Sequence, residues 1–313
     1  MQGHRLGLTA LVLVTVVWGT TFPAMKAMSG DLHALEIIAL RFAVAMVVLA
    51  PFLWRSRWQE WRWGLLMGGV MFVATALQVQ GLSLTTSNRN AFLTGLNVLI
   101  VPMLAAVLGQ RLGWPVLAGA ALSVLGMFGL FFEAAPWNGG DTLTLMSAFF
   151  YAIYVLLFEY AAKSQEPCRP ERLAAIQSVV MLVAAGLGMA LLPEQGVPPL
   201  MERASEHAAG LIYLGLLASA GMVWLQAWGQ ARVRAVEAAL IYGLEPVFAS
   251  LAAVWYINEV LAGRALLGAA LIVAGVVLSQ WPMAPSHTVA APSREGRRKL
   301  ESHPSASKDA STP

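Results

Sequence analysis

Two fifteen-residue stretches of this sequence repeat one another: residues 112–126 read LGWPVLAGAALSVLG, and residues 261–275 read LAGRALLGAALIVAG. At an offset of 149 residues, they align Gly119 with Gly268 and also align the Ala-Ala-Leu that follows each glycine. Both stretches are apolar and rich in small residues, a pattern that allows helices to approach closely inside a membrane. We therefore expect a duplicated chain in which these two helices serve packing.

The composition of the chain excludes an ordinary soluble domain. Apolar residues make up 58% of it and charged residues 12%, and its mean hydropathy is +0.66, whereas soluble domains are about 25% charged. The single cysteine, Cys168, excludes an intramolecular disulfide framework. We predict neither a metal site nor a cofactor, because no histidine falls inside a long apolar run and no phosphate-binding Walker A loop is present. Nucleic acid is not a predicted partner, because the basic residues lie at the edges of apolar segments.

Ten apolar stretches are long enough to cross a bilayer, which takes roughly 20 residues of helix. Backbone groups inside lipid must be paired within their own segment, and runs of continuous apolarity do not fit a β-barrel, so each stretch is predicted to be a helix. The predicted fold class is an all-α integral membrane protein. Its spans cover residues 6–28, 35–54, 63–84, 89–109, 114–132, 142–161, 172–192, 209–231, 235–257 and 263–281.

The basic residues favour one side of these spans, as expected for the cytoplasmic side of a membrane protein. With the N-terminus in the cytoplasm, the cytoplasmic ends and loops carry Arg5, Arg55, Arg57, Arg62, Arg111, Lys163, Arg169, Arg172, Arg232 and Arg234. The external loops carry only Arg89, Arg203 and Arg264. An even number of spans then returns the C-terminus to the cytoplasm.

The repeated stretches lie in spans 5 and 10, so each repeat contains five spans. An odd number of spans places the two repeats in opposite orientations across the membrane. We predict a first repeat at residues 1–134, an inverted second repeat at 138–282, and a disordered, basic tail at 283–313 that is too polar to fold. Inverted five-helix repeats are typical of transporters whose substrate site lies near the midplane, so we expect a central cavity between the repeats.

Polar side chains recur at helical spacing within the spans, for example at Tyr151 and Tyr154 in span 6. A polar group that faces lipid is costly, so such residues are expected to face the bundle interior. They would serve either structural hydrogen bonds between helices or substrate binding. The candidate substrate-binding residues are Trp18, Thr21, Gln78, Asn90, Thr94, Asn97, Tyr151, Tyr154, Gln226, Tyr242 and Glu245.

Glu245 is the sharpest single candidate, because a charge near the middle of a span costs on the order of 2.5–3.5 kcal/mol or more. It is expected either to bind a cationic group of the substrate or to carry a proton; the alternative is a structural role in helix packing. Lys26 and Arg41 lie in the outer halves of spans 1 and 2. They are expected to reach toward external headgroups, or to form a vestibule with acidic residues or an anionic substrate group.

Three short motifs resemble EamA-like members of the drug/metabolite transporter superfamily. Residues 18–26 (WGTTFPAMK) resemble the Trp-Gly-x-x-Phe-x-x-x-Lys opening of that family, and residues 86–96 (TSNRNAFLTGL) resemble its fourth span. Leu244-Glu245-Pro246, followed by Asn258-Glu259, resembles the ninth. In that family, spans 1, 3, 4, 6, 8 and 9 surround the cavity, which favours the substrate-binding interpretation of the candidate residues. Gln110 departs from the pattern, because the first repeat usually has Glu there.

The resemblance implies a transporter of the bacterial inner membrane and no enzyme. We predict a secondary transporter that exports small amphiphilic metabolites, such as amino acids or drug-like compounds, by alternating access. Its partners are a small-molecule substrate and the lipid bilayer; proton coupling and the choice between monomer and homodimer stay open. The alternatives are a sugar-phosphate or nucleotide-sugar exchanger, which would need more buried cations than Lys26 and Arg41, a membrane-embedded enzyme, and a membrane scaffold.

Overall fold

The computed structural model describes residues 2–131, 136–164, 166, 168–191, 198–257 and 263–280. Within these ranges, every regular element is a helix. Eight helical segments are long and apolar enough to cross a membrane, and two shorter apolar helices, Trp114–Gly129 and Gly263–Ser279, accompany them. The prediction of an all-α, multi-span fold is confirmed. The predicted tail and the Asn258-Glu259 part of the ninth-span motif lie outside the described residues.

The helices occupy the ten predicted spans, and we keep the span numbers for them. Seven spans contain one long helix each: Gln2–Met28 (span 1), Ala34–Leu49 (span 2, continued by a 3₁₀ turn at Ala50–Leu53), Trp58–Leu84 (span 3), Trp114–Phe131 (span 5), Gly139–Ala162 (span 6), Pro170–Leu191 (span 7) and Gly263–Ser279 (span 10). A short helix, Leu200–Glu206, precedes span 8.

Spans 4, 8 and 9 are interrupted, a feature that the sequence analysis did not predict. Span 4 consists of Ser87–Gly95 and Asn97–Val107, and span 9 consists of Ala235–Tyr242 and Glu245–Ile257. In span 9, Pro246 lacks the N–H that would continue the first helix, so the backbone restarts there. Span 8 begins at Ala208–Ile212, widens into a nine-residue π-helix, and ends at Met222–Gln230. Such π-helical segments are frequent at functional sites.

The packing of the spans has an internal regularity. Span 3 packs on span 6, and span 8 packs on span 1; span 1 packs on span 9, and span 6 packs on span 4. Spans 2 and 7, 4 and 9, and 5 and 10 pair directly. These pairings stay the same when each span is exchanged for the one five places away.

Spans 5 and 10 meet through two glycine contacts. A Cβ atom added at Gly119 would lie 2.5 Å from the carbonyl oxygen of Gly275, and an added Cβ at Gly126 would collide with the carbonyl oxygen of Gly268. The numbering rises along one helix while it falls along the other, so the two helices are antiparallel. Because the 149-residue offset relates Gly119 to Gly268 and Gly126 to Gly275, each contact is the counterpart of the other.

Ion pairs tie the helix ends at both faces of the bundle. We call the face at which span 1 begins the N-terminal face; spans 3, 5, 7 and 9 also begin there. Pairs that join the two predicted repeats at the N-terminal face include His4–Glu237 (3.0 Å) and Arg172–Glu60 (3.0 Å). Pairs at the opposite face are Arg203–Glu36 (2.6 Å) and Arg89–Asp141 (2.7 Å). Each pair joins a residue of the predicted first repeat to one of the second.

Two clusters of buried apolar side chains flank the middle of the bundle. One includes residues of spans 2, 3 and 7, and the other includes residues of spans 5, 9 and 10. Trp18, at mid-length of span 1, packs against both clusters. The polar candidate residues lie where these two cores meet.

Candidate functional site

A cavity lies at the centre of the bundle. Its empty volume is about 690 Å³ when its opening to solvent is included. The cavity is lined by Trp18, Thr21, Phe22, Met25, Arg41, Phe42, Met71, Thr75, Gln78, Thr94, Asn97, Tyr151, Tyr154, Val155, Ala218, Gln226, Tyr242 and Glu245.

The structure brings together around this cavity all of the candidate residues except Asn90. Asn90 is fully buried beside the cavity. Its amide nitrogen donates to the carbonyl oxygen of Gln78 at 3.1 Å and to the hydroxyl of Thr144 at 2.7 Å. Asn90 therefore ties span 4 to spans 3 and 6, and its contacts are those of a structural residue.

One wall of the cavity is a hydrogen-bonded network centred on Gln78. The phenol of Tyr151 donates to the side-chain oxygen of Gln78 at 3.0 Å and lies 3.0 Å from the hydroxyl of Thr75. The side-chain nitrogen of Gln78 donates to the hydroxyl of Thr94 at 3.2 Å. The network joins spans 3, 4 and 6, and it fixes the rotamers of the groups that face the cavity.

The wall nearer the N-terminal face is closed by a second set of polar contacts. The phenol of Tyr242 donates to the side-chain oxygen of Gln230 at 3.1 Å. Gln230 also lines a separate cavity at the N-terminal face, together with His4, Glu159, Lys163, Arg232 and Glu237 among others. The Tyr242–Gln230 contact thus stands between the central cavity and that outer cavity.

Tyr154 reinforces this closed wall. Its phenol is within hydrogen-bond distance of the side-chain oxygens of Gln177, at 2.6 Å, and Gln226, at 3.2 Å. Tyr154 is 1% exposed and packs edge-on against Phe158. Spans 6, 7 and 8 are therefore linked by one phenol at the level of the cavity.

Trp18 anchors span 1 to the π-helix of span 8. Its indole N–H donates to the carbonyl oxygen of Ala218 at 3.0 Å, and its ring centroid lies 5.9 Å from that of Tyr242. Ala218 lies within the π-helix Tyr213–Gly221. The aromatic pair of Trp18 and Tyr242 forms one side of the cavity beside Glu245.

Glu245 and Asn97 lie at the helix interruptions. Each is the first residue of the second helix of its span, and both are buried and line the cavity. Among the described residues, none forms a hydrogen bond or an ion pair with the Glu245 carboxyl. The side-chain oxygen of Asn97 is buried without a hydrogen-bond partner. These groups are available to a ligand.

Arg41 also lines the cavity, although the sequence analysis did not include it among the candidate substrate-binding residues. Its guanidinium donates to the hydroxyl of Ser219 at 2.8 Å and contacts the sulfur of Met25 at 3.5 Å. It does not meet Glu36, which pairs with Arg203. The available signal was the position of Arg41 in the middle of the apolar helix Ala34–Leu49, because intramembrane charges mark functional sites by default.

Lys26 takes a different role from both of its predicted ones. Its ammonium group donates to the carbonyl oxygens of Leu82 at 2.9 Å and Thr85 at 2.8 Å. These carbonyls lie at the C-terminal end of span 3, where unpaired carbonyls and the helix dipole favour a cation. Lys26 therefore caps span 3, and its donors are occupied.

The chemistry of the site is that of binding and orientation. Phe22, Met25, Phe42 and Met71 supply an apolar surface, while hydroxyl, amide and charged groups supply fixed polar contacts. Such a mixture suits a small solute with both apolar and polar parts. Among the described residues that line the cavity, Arg41 is the one cation and Glu245 the one anion.

Comparison with known proteins gives a family-level match. The profile of the EamA-like transporter family matches this chain twice, at residues 5–132 and at residues 138–281. A solved crystal structure aligns with a TM-score of 0.70 over 90% of this chain and 98% of that chain, at 20% identity. That alignment shows a shared fold.

Two relatives extend over most of the chain. An uncharacterized transporter of Archaeoglobus fulgidus is 26% identical over 269 residues, which are 86% of this chain and 83% of the relative. A probable terminal-alkyne amino-acid exporter of Streptantibioticus cattleyicolor is 26% identical over 286 residues, which are 86% of this chain and 91% of the relative. The family and these relatives are named for transport and not for catalysis.

Proposed function

This chain belongs to the EamA-like transporter family, and on that premise we propose that it is a secondary transporter that exports small amphiphilic metabolites, such as amino acids or drug-like compounds. The observation that carries the proposal is the buried central cavity. Polar and aromatic side chains from spans 1, 2, 3, 4, 6, 8 and 9 surround it. The side-chain oxygen of Asn97 is buried without a hydrogen-bond partner among the described residues and belongs to a residue that lines this cavity, so it supports a ligand-binding role.

The paired interruptions of spans 4 and 9 support the same function. Discontinuous helices at corresponding positions of two repeats are a feature of transporters, because the exposed backbone ends line the substrate site. Here the interruptions place Asn97 and Glu245 against the cavity. The proposed substrate site is therefore the set of candidate residues without Asn90, together with Arg41.

We propose alternating access by the relative motion of two inverted repeats, residues 1–134 and 138–282. The twofold match of the family profile and the regular pairing of the spans support this division. Ion pairs join the proposed repeats at both faces. In the proposed cycle, the pairs at one face separate while those at the other hold, so that the cavity opens to one side at a time.

We propose the bacterial inner membrane as the location, with both termini in the cytoplasm. The excess of lysine and arginine at the N-terminal face supports this orientation. Export as the direction is supported by the name of the Streptantibioticus cattleyicolor relative. Export then means movement from the N-terminal face, past the Tyr242–Gln230 contact, through the cavity to the opposite face.

We propose that Glu245 couples transport to protons. A buried carboxyl without a protein partner is costly as an anion, so it favours either a proton or a cationic group of the solute. If a proton and the cationic group of the solute compete for the Glu245 carboxyl, the protein exchanges solute for protons. Facilitated diffusion of the solute alone is the alternative mode.

Flux into liposomes tests the function and the coupling together. The full chain is reconstituted, and uptake of a panel of amino acids is measured with and without a pH gradient for the unmodified protein and Glu245→Gln. We expect gradient-stimulated flux that Glu245→Gln reduces at least tenfold. Glu202→Gln, at an exposed position of Leu200–Glu206, is the control and is expected to leave flux unchanged.

Two outcomes would contradict parts of the proposal. Unchanged flux with the same pH dependence in Glu245→Gln would remove Glu245 from the mechanism. The absence of flux for every solute of the panel, in vesicles shown to contain folded protein, would overturn the transport of amino-acid-like solutes.

A further inference from the structure

Arg41 is a buried cation that has no anionic partner among the described residues. It is 7% exposed, and its described contacts are the Ser219 hydroxyl, the Met25 sulfur and the Phe42 ring, whose centroid lies 5.5 Å from the guanidinium carbon. Other cations within the bundle are compensated: Arg203 and Arg89 pair with carboxylates, and Lys26 binds backbone carbonyls. A guanidinium has five N–H donors in a planar fork that matches a carboxylate, so Arg41 retains unused donors beside the cavity.

Glu245 is the corresponding acidic side chain, and it has no cationic partner in the part of the chain that the structure describes. It lines the same cavity, and among the described residues no cation lies within 4.0 Å of its carboxyl oxygens. Trp18 and Tyr242, whose ring centroids lie 5.9 Å apart, line the same cavity. A carboxylate beside aromatic rings is suited to an ammonium group, which is attracted to both.

Arg41 and Glu245 line one cavity, and Tyr151 lines it as well. The two charged groups therefore lie within reach of one small cavity, yet they do not pair with each other. Uncompensated charges in a low-dielectric interior are costly, so a bound group that supplies both opposite charges is favoured over one that supplies a single charge.

We infer that the cavity recognises zwitterions, with Arg41 binding the anionic group, a carboxylate, and Glu245, beside Trp18 and Tyr242, binding the ammonium group. This inference rests on the proposed function, since it names the substrate class of the same cavity. The apolar part of the solute packs against Phe22, Phe42 and Met71, which line the cavity between the polar groups. A solute with only one of the two charges leaves either Arg41 or Glu245 uncompensated.

Matched sets of ligands test the inference by direct binding. In the first set, leucine is compared with isoamylamine, which lacks the carboxylate, and with isocaproate, which lacks the amine. In the second set, ε-aminocaproate, whose two charges lie farther apart, is compared with hexylamine, which lacks the carboxylate, and with hexanoate, which lacks the amine. Affinity is measured by calorimetry on the full chain in detergent. We expect at least one zwitterion to bind about tenfold or more tightly than both of its singly charged analogues, a difference of about 1.4 kcal/mol. The inference is overturned if neither zwitterion does.

Variants assign each charge to its residue. Arg41→Met is expected to bring the affinity for the zwitterion close to that for the amine, whereas Glu245→Gln is expected to bring it close to that for the carboxylate. Lys26→Met removes the same charge from a residue whose donors are occupied by carbonyls, so it is expected to leave the ratio of zwitterion to amine affinity unchanged.

Two milder variants keep the test decisive if Arg41→Met does not fold. Arg41→Lys keeps the charge but not the planar fork, and Ser219→Ala removes the hydroxyl that orients the guanidinium. Both are expected to lower the ratio of zwitterion to amine affinity severalfold. An unchanged ratio in both variants contradicts the assignment of Arg41.

The two proposals fail in distinguishable ways. Binding of the zwitterion that depends on Arg41, without any flux in liposomes, would keep the site and overturn the transport function. Flux of isoamylamine or hexylamine equal to that of the matching zwitterion would keep the transporter and overturn zwitterion recognition.

Discussion

Asn97 and Glu245 hold equivalent positions in spans 4 and 9. Each begins the second helix of an interrupted span, each is buried, and each lines the central cavity. They lie 148 residues apart, one residue from the offset of the repeated stretches. One position carries an amide and the other a carboxyl, so the fold uses the same backbone feature twice while the chemistry at the two sites differs.

The first prediction concerns Asn97. Because its side-chain oxygen is buried without a partner, Asn97→Leu is expected to leave the melting temperature of the purified chain unchanged or raised, since it removes an unsatisfied polar group. Flux through liposomes is expected to fall at least threefold. The two quantities are measured on the same preparation.

Asn90→Leu is the matched control in the same span. It removes the hydrogen bonds from the Asn90 amide nitrogen to the Gln78 carbonyl oxygen and to the Thr144 hydroxyl, and is expected to destabilise the protein by about 1–3 kcal/mol. Equal loss of stability in the Asn97 and Asn90 variants would argue that Asn97 is also structural.

The second prediction concerns the contact between Tyr242 and Gln230. Tyr242→Phe removes one hydrogen bond, worth about 0.5–1.5 kcal/mol, and should make opening toward the N-terminal face easier by up to about tenfold. The readout is the rate at which an impermeant maleimide, added at that face, labels the cysteine introduced by Val155→Cys in a Cys168→Ser background.

Tyr160→Phe is the control for this labelling. Tyr160 is exposed in the same bundle, so its hydroxyl has no expected effect on the cavity. If Tyr242→Phe leaves the labelling rate equal to that of the control, the Tyr242–Gln230 contact does not close the cavity.

The third prediction concerns the crossing of spans 5 and 10. A methyl group added by Gly119→Ala would collide with the backbone of Gly275, so this change is expected to destabilise the chain by about 1–3 kcal/mol. The measurement is unfolding of the purified protein in detergent.

Gly69→Ala provides the opposite expectation. Gly69 lies inside the helix Trp58–Leu84, and an added Cβ there has nothing within 4 Å. Replacing a helical glycine by alanine in open space is expected to stabilise by about 0.5–1 kcal/mol. A similar response of both variants would mean that the close glycine crossing does not limit stability.

The fourth prediction concerns the inversion of the repeats. Leu84, at the end of span 3, and Ala231, at the end of span 8, are exposed. In the Cys168→Ser background, cysteines introduced by Leu84→Cys and Ala231→Cys are expected to react with an impermeant reagent from opposite sides of the membrane. Reaction from the same side would contradict the inverted arrangement and the transport cycle built on it.

The sequence by itself determined the number and approximate position of the spans. Apolar runs of about 20 residues can be satisfied in lipid only as helices, so this information is local. Helical spacing also indicated which polar residues point inward, and the structure gathers all of them except Asn90 around one cavity. Asn90 has the same spacing but finds its partners in neighbouring helices, which spacing alone does not reveal.

Only the tertiary structure decided which partners the intramembrane cations bind and where the helices are interrupted. Arg41 and Lys26 are both cations in the outer half of a predicted span. In the structure, Arg41 donates to Ser219 beside the cavity, whereas Lys26 donates to carbonyl oxygens at the C-terminal end of span 3. The interruption of span 4 and the π-helix of span 8 were likewise seen only in the structure. A long cationic side chain can reach several partners, and the free energy of each choice depends on groups that only the packed helices bring within reach.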